Sequence, residues 1–218
     1  GDHPSGTPSA NLGGSAAVKE TFEKSQQMAR DAGLPGITFI AMGYGFTPEI
    51  ADTLLDQGYT GTTTYHEWGK PVGQAMTEQR SQFDYVAQNS PAAWREKDRA
   101  MEKLTYYPVV DTGWDSRPWH GNKAMAIEGR SPELFEQLLR QADIFCREAQ
   151  KPLLILAPVN EWGEGSYIEP NTEFGFAMYE AIRKVFCTDD PSTWPVNVAP
   201  ADVGLGPYDY PKPADTAK

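Results

Sequence analysis

The segment Asn160-Glu161-Trp162-Gly163-Glu164-Gly165 carries two carboxyl groups three residues apart. It follows an apolar run ending at Val159, so Asn160 and Glu161 fall where a strand stops. Gly163 and Gly165 give the backbone freedom to turn tightly, and Trp162 offers a rigid wall. Two carboxylates in such a turn can point into one pocket. Glycosidic bond cleavage commonly uses such a pair, one member giving a proton to the leaving oxygen. Clustered carboxylates also push their pKa values apart, which makes an acid and a base from one residue type. The same spacing suits a solvated acidic loop or a cation site.

Three further segments place polar and aromatic groups directly after apolar runs. In Asp111-Thr112-Gly113-Trp114-Asp115, Trp114 could stack on a sugar and Asp111 or Asp115 could bind hydroxyls. The alternative is a rim loop held by an Asp–Arg117 pair. In Tyr65-His66-Glu67-Trp68, Tyr65 and His66 are candidates for substrate contact, and a lone His also serves as a structural residue. Tyr44, between Gly43 and Gly45, could approach a ligand; the two glycines make a poor phosphate loop, since no third Gly or Lys follows. Three His among scattered carboxylates give no metal-ligand spacing, so no metal and no cofactor are expected.

These segments need elements to hold them. Val18, Phe22, Ser25 and Ala29 share one helical face, closed by Gly33 and Pro35. Residues 37–42 read as a buried strand. Thr47-Pro48-Glu49 reads as a capped helix start, and that helix ends at Gly58. Residues 59–65 form a Thr- and Tyr-rich strand. A polar connection leads to a helical stretch, 83–101, that Pro91 interrupts. Residues 105–110 make the third strand. Ser131-Pro132-Glu133 caps another helix, striped by Phe135, Leu138, Ala142, Phe145 and Ala149. Residues 153–159 make the fourth strand, whose continuous apolar character suits cover on both faces. The last helix carries Phe174, Met178, Ala181, Ile182 and Val185.

Strands that alternate with helices argue for a parallel sheet with helical crossovers, with the active site at the strands' carboxyl ends. Four such units make half an eight-stranded barrel or a small open sheet. An eight-unit barrel needs about 250 residues, more than this chain's 218. The organisation is read as coil over 1–14, one repeat domain over 15–187 and a Pro-rich tail over 188–218.

Composition narrows the partners. The net charge of −11 argues against a nucleic-acid backbone as ligand. No apolar run is long enough for a spanning helix. Aromatic content of 11% leans towards a sugar site, although aromatic cores are equally rich. Cys146 and Cys187 read as two buried free thiols, with a disulfide between neighbouring helices as the alternative. The chain opens on Gly1 with no initiator Met and no signal peptide, the mark of a processed form or an excised piece. The compartment stays open, a secreted or periplasmic location being favoured over a cytoplasmic one.

The run from Asn160 through Glu169-Pro170 resembles the signature of the glycoside hydrolase family 99-like group, which takes in endo-α-mannosidases and WbsX-like proteins. Pro108 to Asp115, a strand ending in Gly-Trp-Asp, is similar to another of its segments. The resemblance covers roughly residues 15–186. It implies a (β/α)8 TIM-barrel type of α/β fold, of which this chain supplies the C-terminal half. The remainder would come from upstream sequence or a partner chain. It also implies a retaining, endo-acting glycosidase on α-mannoside-like oligosaccharides or polysaccharides. Glu161 would deprotonate the sugar 2-hydroxyl and Glu164 would act as general acid, then base. A glycosyltransferase of polysaccharide biosynthesis and a non-catalytic glycan-binding remnant are the alternatives. The transferase is disfavoured for want of an Asp-x-Asp or a basic phosphate cradle.

Overall fold

A computed structural model describes residues 13–43, 45–68 and 80–206. Helix α1 spans Ser15–Asp31 and strand β1 Ile40–Met42. Helix α2, Pro48–Asp56, starts where expected: the Thr47 side chain accepts from the Ile50 N–H. Strand β2 follows at Gly61–Thr63, a short β3 at Arg80–Gln82 and α3 at Phe83–Ala100. The third apolar stretch divides into β4, Thr105–Tyr106, and β5, Val109–Asp111. Then come β6 (Trp114–Asp115), a one-turn α4 (Arg117–His120) and β7 (Ala126–Glu128). Helix α5, Pro132–Glu148, is capped by Ser131. Strand β8 is Ile155–Ala157, β9 Asn160–Glu161, β10 Ser166–Tyr167 and α6 Ala177–Phe186.

The four expected strands form a parallel arc in chain order. β1 pairs with β2 and β2 with β4, while β5 pairs with β8, all parallel. Tyr107 and Pro108 join the halves of the third strand: Tyr107 N–H donates to Thr62 on one side, and the Pro108 carbonyl accepts from Ile155 N–H on the other. The third strand thus changes partner at a proline, which has no N–H to offer a ladder. α3 packs on α5, and α5 on α6. The core between helices and arc is built from Phe83, Trp94, Phe135, Leu138, Leu139 and Met178, with Tyr106 and Val110 from the strands. Each such large side chain contributes about 1.5–3 kcal/mol by burial.

Three readings are corrected. α3 runs through Pro91 without interruption. Val86, Ser90, Ala93 and Trp94 stay buried around the proline, and the Ser90 hydroxyl donates back to the Val86 carbonyl; tertiary packing outweighs the lost main-chain bond. β8 is not covered on both faces. Ile155 and Leu156 are half-buried, and Leu153 and Val159 are exposed. Among the described residues β8 pairs with β5 alone, so the arc remains open. Of the two thiols, both free, Cys146 is half-buried, but Cys187 is exposed because it falls just past the end of α6.

At the carboxyl ends of the arc the connections grow into a rim. β3 pairs with β7 parallel, and β6 with β7 antiparallel. β9 and β10 make a hairpin. The segment after α6 folds back on it: Asn197 donates to Glu180, and Arg183 reaches the Pro195 carbonyl. Among the described residues no helix is long and apolar enough to cross a membrane.

Candidate active site

The paired glutamates lie on the rim hairpin. Glu161 faces Ser166 and Asn160 faces Tyr167 in an antiparallel pair, and Trp162–Glu164 forms a single 3-10 turn between the strands. Gly165 closes that turn with φ of 64°, a left-handed conformation that favours glycine. A β-carbon there would also come within 2.7 Å of the Asp115 backbone nitrogen. Gly163 has a different reason. It lies where a β-carbon would come within 2.8 Å of the Trp119 indole, so a side chain there would have to displace that ring. Asn160 and Glu161 are exposed and Glu164 is half-buried.

The Tyr65 hydroxyl, after β2, donates to Glu164 Oε2 at 3.1 Å. Burial, the bond to Glu164 and the charges of Glu164, Glu161 and Asp111 push the Tyr65 phenol up to about 12. The phenol therefore stays a donor at all ordinary pH, and it feels three carboxylates, two from the hairpin and one from the end of β5. His66, its neighbour, places Nδ1 2.6 Å from Asp111 Oδ2. Asp111 is fully buried and its other oxygen accepts from the Gly113 N–H at 2.8 Å. Both Asp111 oxygens are thus engaged within the protein. The imidazole is walled by Trp68 and Trp114, each with its ring centre 5.0 Å away. The buried His66 Nε2, Trp68 Nε1 and Trp114 Nε1 have no hydrogen-bond partner among the described residues. Glu67, by contrast, turns away and pairs with Lys97 on α3, which anchors the β2 loop to the helix layer.

On the other flank of the hairpin Trp162 stacks on Tyr167 with ring centres 4.0 Å apart, and its Nε1 donates to Glu169 at 2.8 Å. A cavity of about 560 Å³ opens beside it, lined among others by Trp114, Asp115, Arg117, Glu128, Tyr167 and Glu173. Asp115 is gripped by Arg117 through Nε at 2.8 Å and Nη2 at 2.6 Å, which holds its carboxyl below the usual range. Arg117 also reaches Glu128 at 2.8 Å. Tyr65, His66, Asp111, Trp114, Asp115, Asn160, Trp162 and both glutamates therefore gather at one end of the arc. Tyr44 lies outside the described residues.

Sequence reading missed the residues that tie these loops together. Arg130, at the start of the connection to α5, donates from Nη1 to the carbonyls of Thr112, Gly165 and Tyr167 at 2.9–3.1 Å. Its guanidinium carbon lies 4.3 Å from the Tyr167 ring centre. Ser166 donates to the Gly113 carbonyl, and Thr112 to that of Pro158 at 2.6 Å. Arg130 lies far along the chain from every partner but one loop, and no local pattern marks an arginine that serves backbone carbonyls. Among the described residues no group of three or more His, Cys, Asp or Glu could hold a metal ion.

Residues 14–182 match the family model described as Glycosyltransferase WbsX. A stretch of 100 residues is 32% identical to the uncharacterized protein WxcX of Xanthomonas campestris pv. campestris (strain B100), covering 42% of this chain and 14% of that protein. Among solved structures, a glycoside hydrolase-like protein superposes with a TM-score of 0.55 at 17% identity, over 78% of this chain and 49% of its own. The GH99 endo-alpha-mannosidase from Bacteroides thetaiotaomicron gives 0.47 at 18% identity, over 79% and 52%. The chain spans about half the length of these structures and a small part of the WxcX protein.

Proposed function

Because the chain belongs to the WbsX family, whose model it matches over residues 14–182, we propose that it is the site-bearing part of a retaining glycoside hydrolase. Its substrate is an α-mannoside-like glycan, cut within the chain. The observation that carries this reading is the Glu164–Tyr65 hydrogen bond. It draws one carboxylate of the pair towards the loop after β2, while Glu161 stays exposed on the same hairpin.

In the proposed reaction Glu161 takes the proton of the sugar 2-hydroxyl. The freed oxygen attacks the anomeric carbon as the bond to the leaving oxygen breaks, and Glu164 gives that oxygen its proton. The product is a 1,2-anhydro sugar, with Glu161 protonated and Glu164 ionised. Water then attacks the anomeric carbon and yields its proton to Glu164, while Glu161 returns its proton to O2. Two inversions at one carbon give net retention. This substrate-assisted route is one of the known exceptions to a carboxylate nucleophile.

The family description names a transferase, and the same carboxylates could pass the glycosyl group to a sugar hydroxyl in place of water. A donor carrying a diphosphate is less well served. The arginines that line the cavity, Arg117 and Arg130, are committed to Asp115 and Glu128 and to three carbonyls. The test is hydrolysis of α-mannans followed by NMR of the first-formed anomer, with Glu161→Gln and Glu164→Gln as controls. Loss of about 10²–10⁴ in rate is expected for each, the usual worth of acid–base catalysis. Full activity in both variants would sink the mechanism. Stabilisation by a nucleotide-sugar, without hydrolysis, would favour the transferase.

A further inference from the structure

Two tryptophans are strongly exposed among the described residues, Trp119 at 75% and Trp162 at 48%. Both border the glutamate turn: Trp162 begins it, and the Trp119 indole, from α4, lies against Gly163 in its middle. Neither the sequence reading nor the mechanism uses Trp119. Exposing an indole forfeits the burial that makes tryptophan favourable in a fold, so two exposed indoles bordering one turn need a reason.

The ring of Trp119 is mounted on a fixed base. α4 is a single turn with Pro118 in it, and the Trp119 and His120 N–H groups both donate to the Ser116 carbonyl at 3.1 and 3.0 Å. Arg117 ties the same turn to Asp115 and Glu128. One edge of the indole is seated on Gly163, whose missing β-carbon leaves room for it, and most of the ring faces solvent. A flat apolar face on an anchored turn, beside hydrogen-bonding groups, suits a pyranose ring, which presents C–H groups on one face and hydroxyls at its edge.

We propose that Trp119 is the platform of a second sugar subsite, which takes a pyranose of the same glycan chain adjoining the residue held at the glutamate turn. The proposal deepens the glycosidase reading and rests on it for the identity of the chain. Its physical content is that affinity rises with glycan length through Trp119.

The experiment is calorimetric titration of α-linked manno-oligosaccharides of increasing length into the Glu164→Gln protein, with and without Trp119→Ala. Thermal unfolding of each protein shows whether the exposed ring matters to the fold. The expected result is weaker binding of the longer oligosaccharides by roughly ten-fold in the Trp119→Ala protein, from loss of one aromatic contact, with the shortest unaffected. Trp119→Tyr should recover most of it. Equal affinities across the series with and without Trp119, or binding by neither protein, overturns the subsite. So does a Trp119→Ala effect confined to self-association in sedimentation, which would assign the ring to a second copy of the chain. Length-dependent binding that needs Trp119, combined with no cleavage by the unsubstituted protein, would retain the subsite and remove the hydrolase reading.

Discussion

The arc and the rim are built by different physics. Below, β1, β4, β5 and β8 carry apolar side chains into a core shared with α3, α5 and α6, and most of that core is fully buried. Above, the loops that hold the candidate residues are joined by polar links: Tyr65 to Glu164, His66 to Asp111, Arg117 to Asp115, and Arg130 to three carbonyls. Apolar packing is non-directional and tolerates small shifts. Hydrogen bonds fix both distance and angle, which a site needs if it is to hold reacting groups within a fraction of an ångström. Stability and function in this chain should therefore separate under mutation.

The largest expected effect tests the arc. Phe135→Ala removes a fully buried ring from α5 and should cost about 3–5 kcal/mol in chemical denaturation. Molecules that remain folded should keep their glycan affinity; a loss of affinity without a loss of stability would break the comparison. Arg130→Met tests the rim. It leaves three carbonyls without their donor and should cost about 1–3 kcal/mol. Its effect on kcat should exceed that on KM, because the hairpin that carries Glu161 and Glu164 loses its tie to Thr112. Arg130→Lys should rescue only in part, since a point charge cannot reproduce the planar fork or its stacking on Tyr167.

Tyr65→Phe should be milder, about 0.5–1.5 kcal/mol for one hydrogen bond. The sign of its pH dependence follows from the raised phenol. A group held protonated in the fold stabilises fully below its unfolded value of 10.0 and loses that contribution as pH rises through about 12. Alkaline unfolding of Tyr65→Phe should therefore be flatter over that window than that of the parent. Asp115→Asn gives the smallest effect and the opposite limb. The Arg117 bonds depress the Asp115 carboxyl, so its contribution is present above the ordinary value of 3.8 and fades as pH falls below it. Acid unfolding curves for the two proteins should converge at the lowest pH.

Much of the arc was legible in sequence because periodicity reports burial directly. The capped starts at Thr47 and Ser131 are where the pattern puts them, as is the stripe Phe135, Leu138, Ala142 and Phe145. Pro91 misled because a rule about isolated helices gave way to the packing of Val86 and Trp94. β8 misled because an apolar run says that a strand wants cover, not that cover is present. At the rim the candidate residues were found by type and by their place after apolar runs. Their partners were not: nothing local announces that Asp111 serves His66, or that Gly163 makes room for Trp119.

From the order of amino acids alone came the succession of strands and helices, the end of the arc at which the candidate residues gather, and a carboxylate pair in an Asn-Glu-Trp-Gly-Glu-Gly turn. These follow from short-range spacing, which the chain carries wherever it folds. Only the tertiary structure decided which carboxylates are occupied by the protein itself, which ring stays open to solvent, and which arginine joins the loops. Each of those depends on residues far apart in sequence, Tyr65 with Glu164 and Arg130 with Thr112 and Tyr167, brought together by the core beneath them.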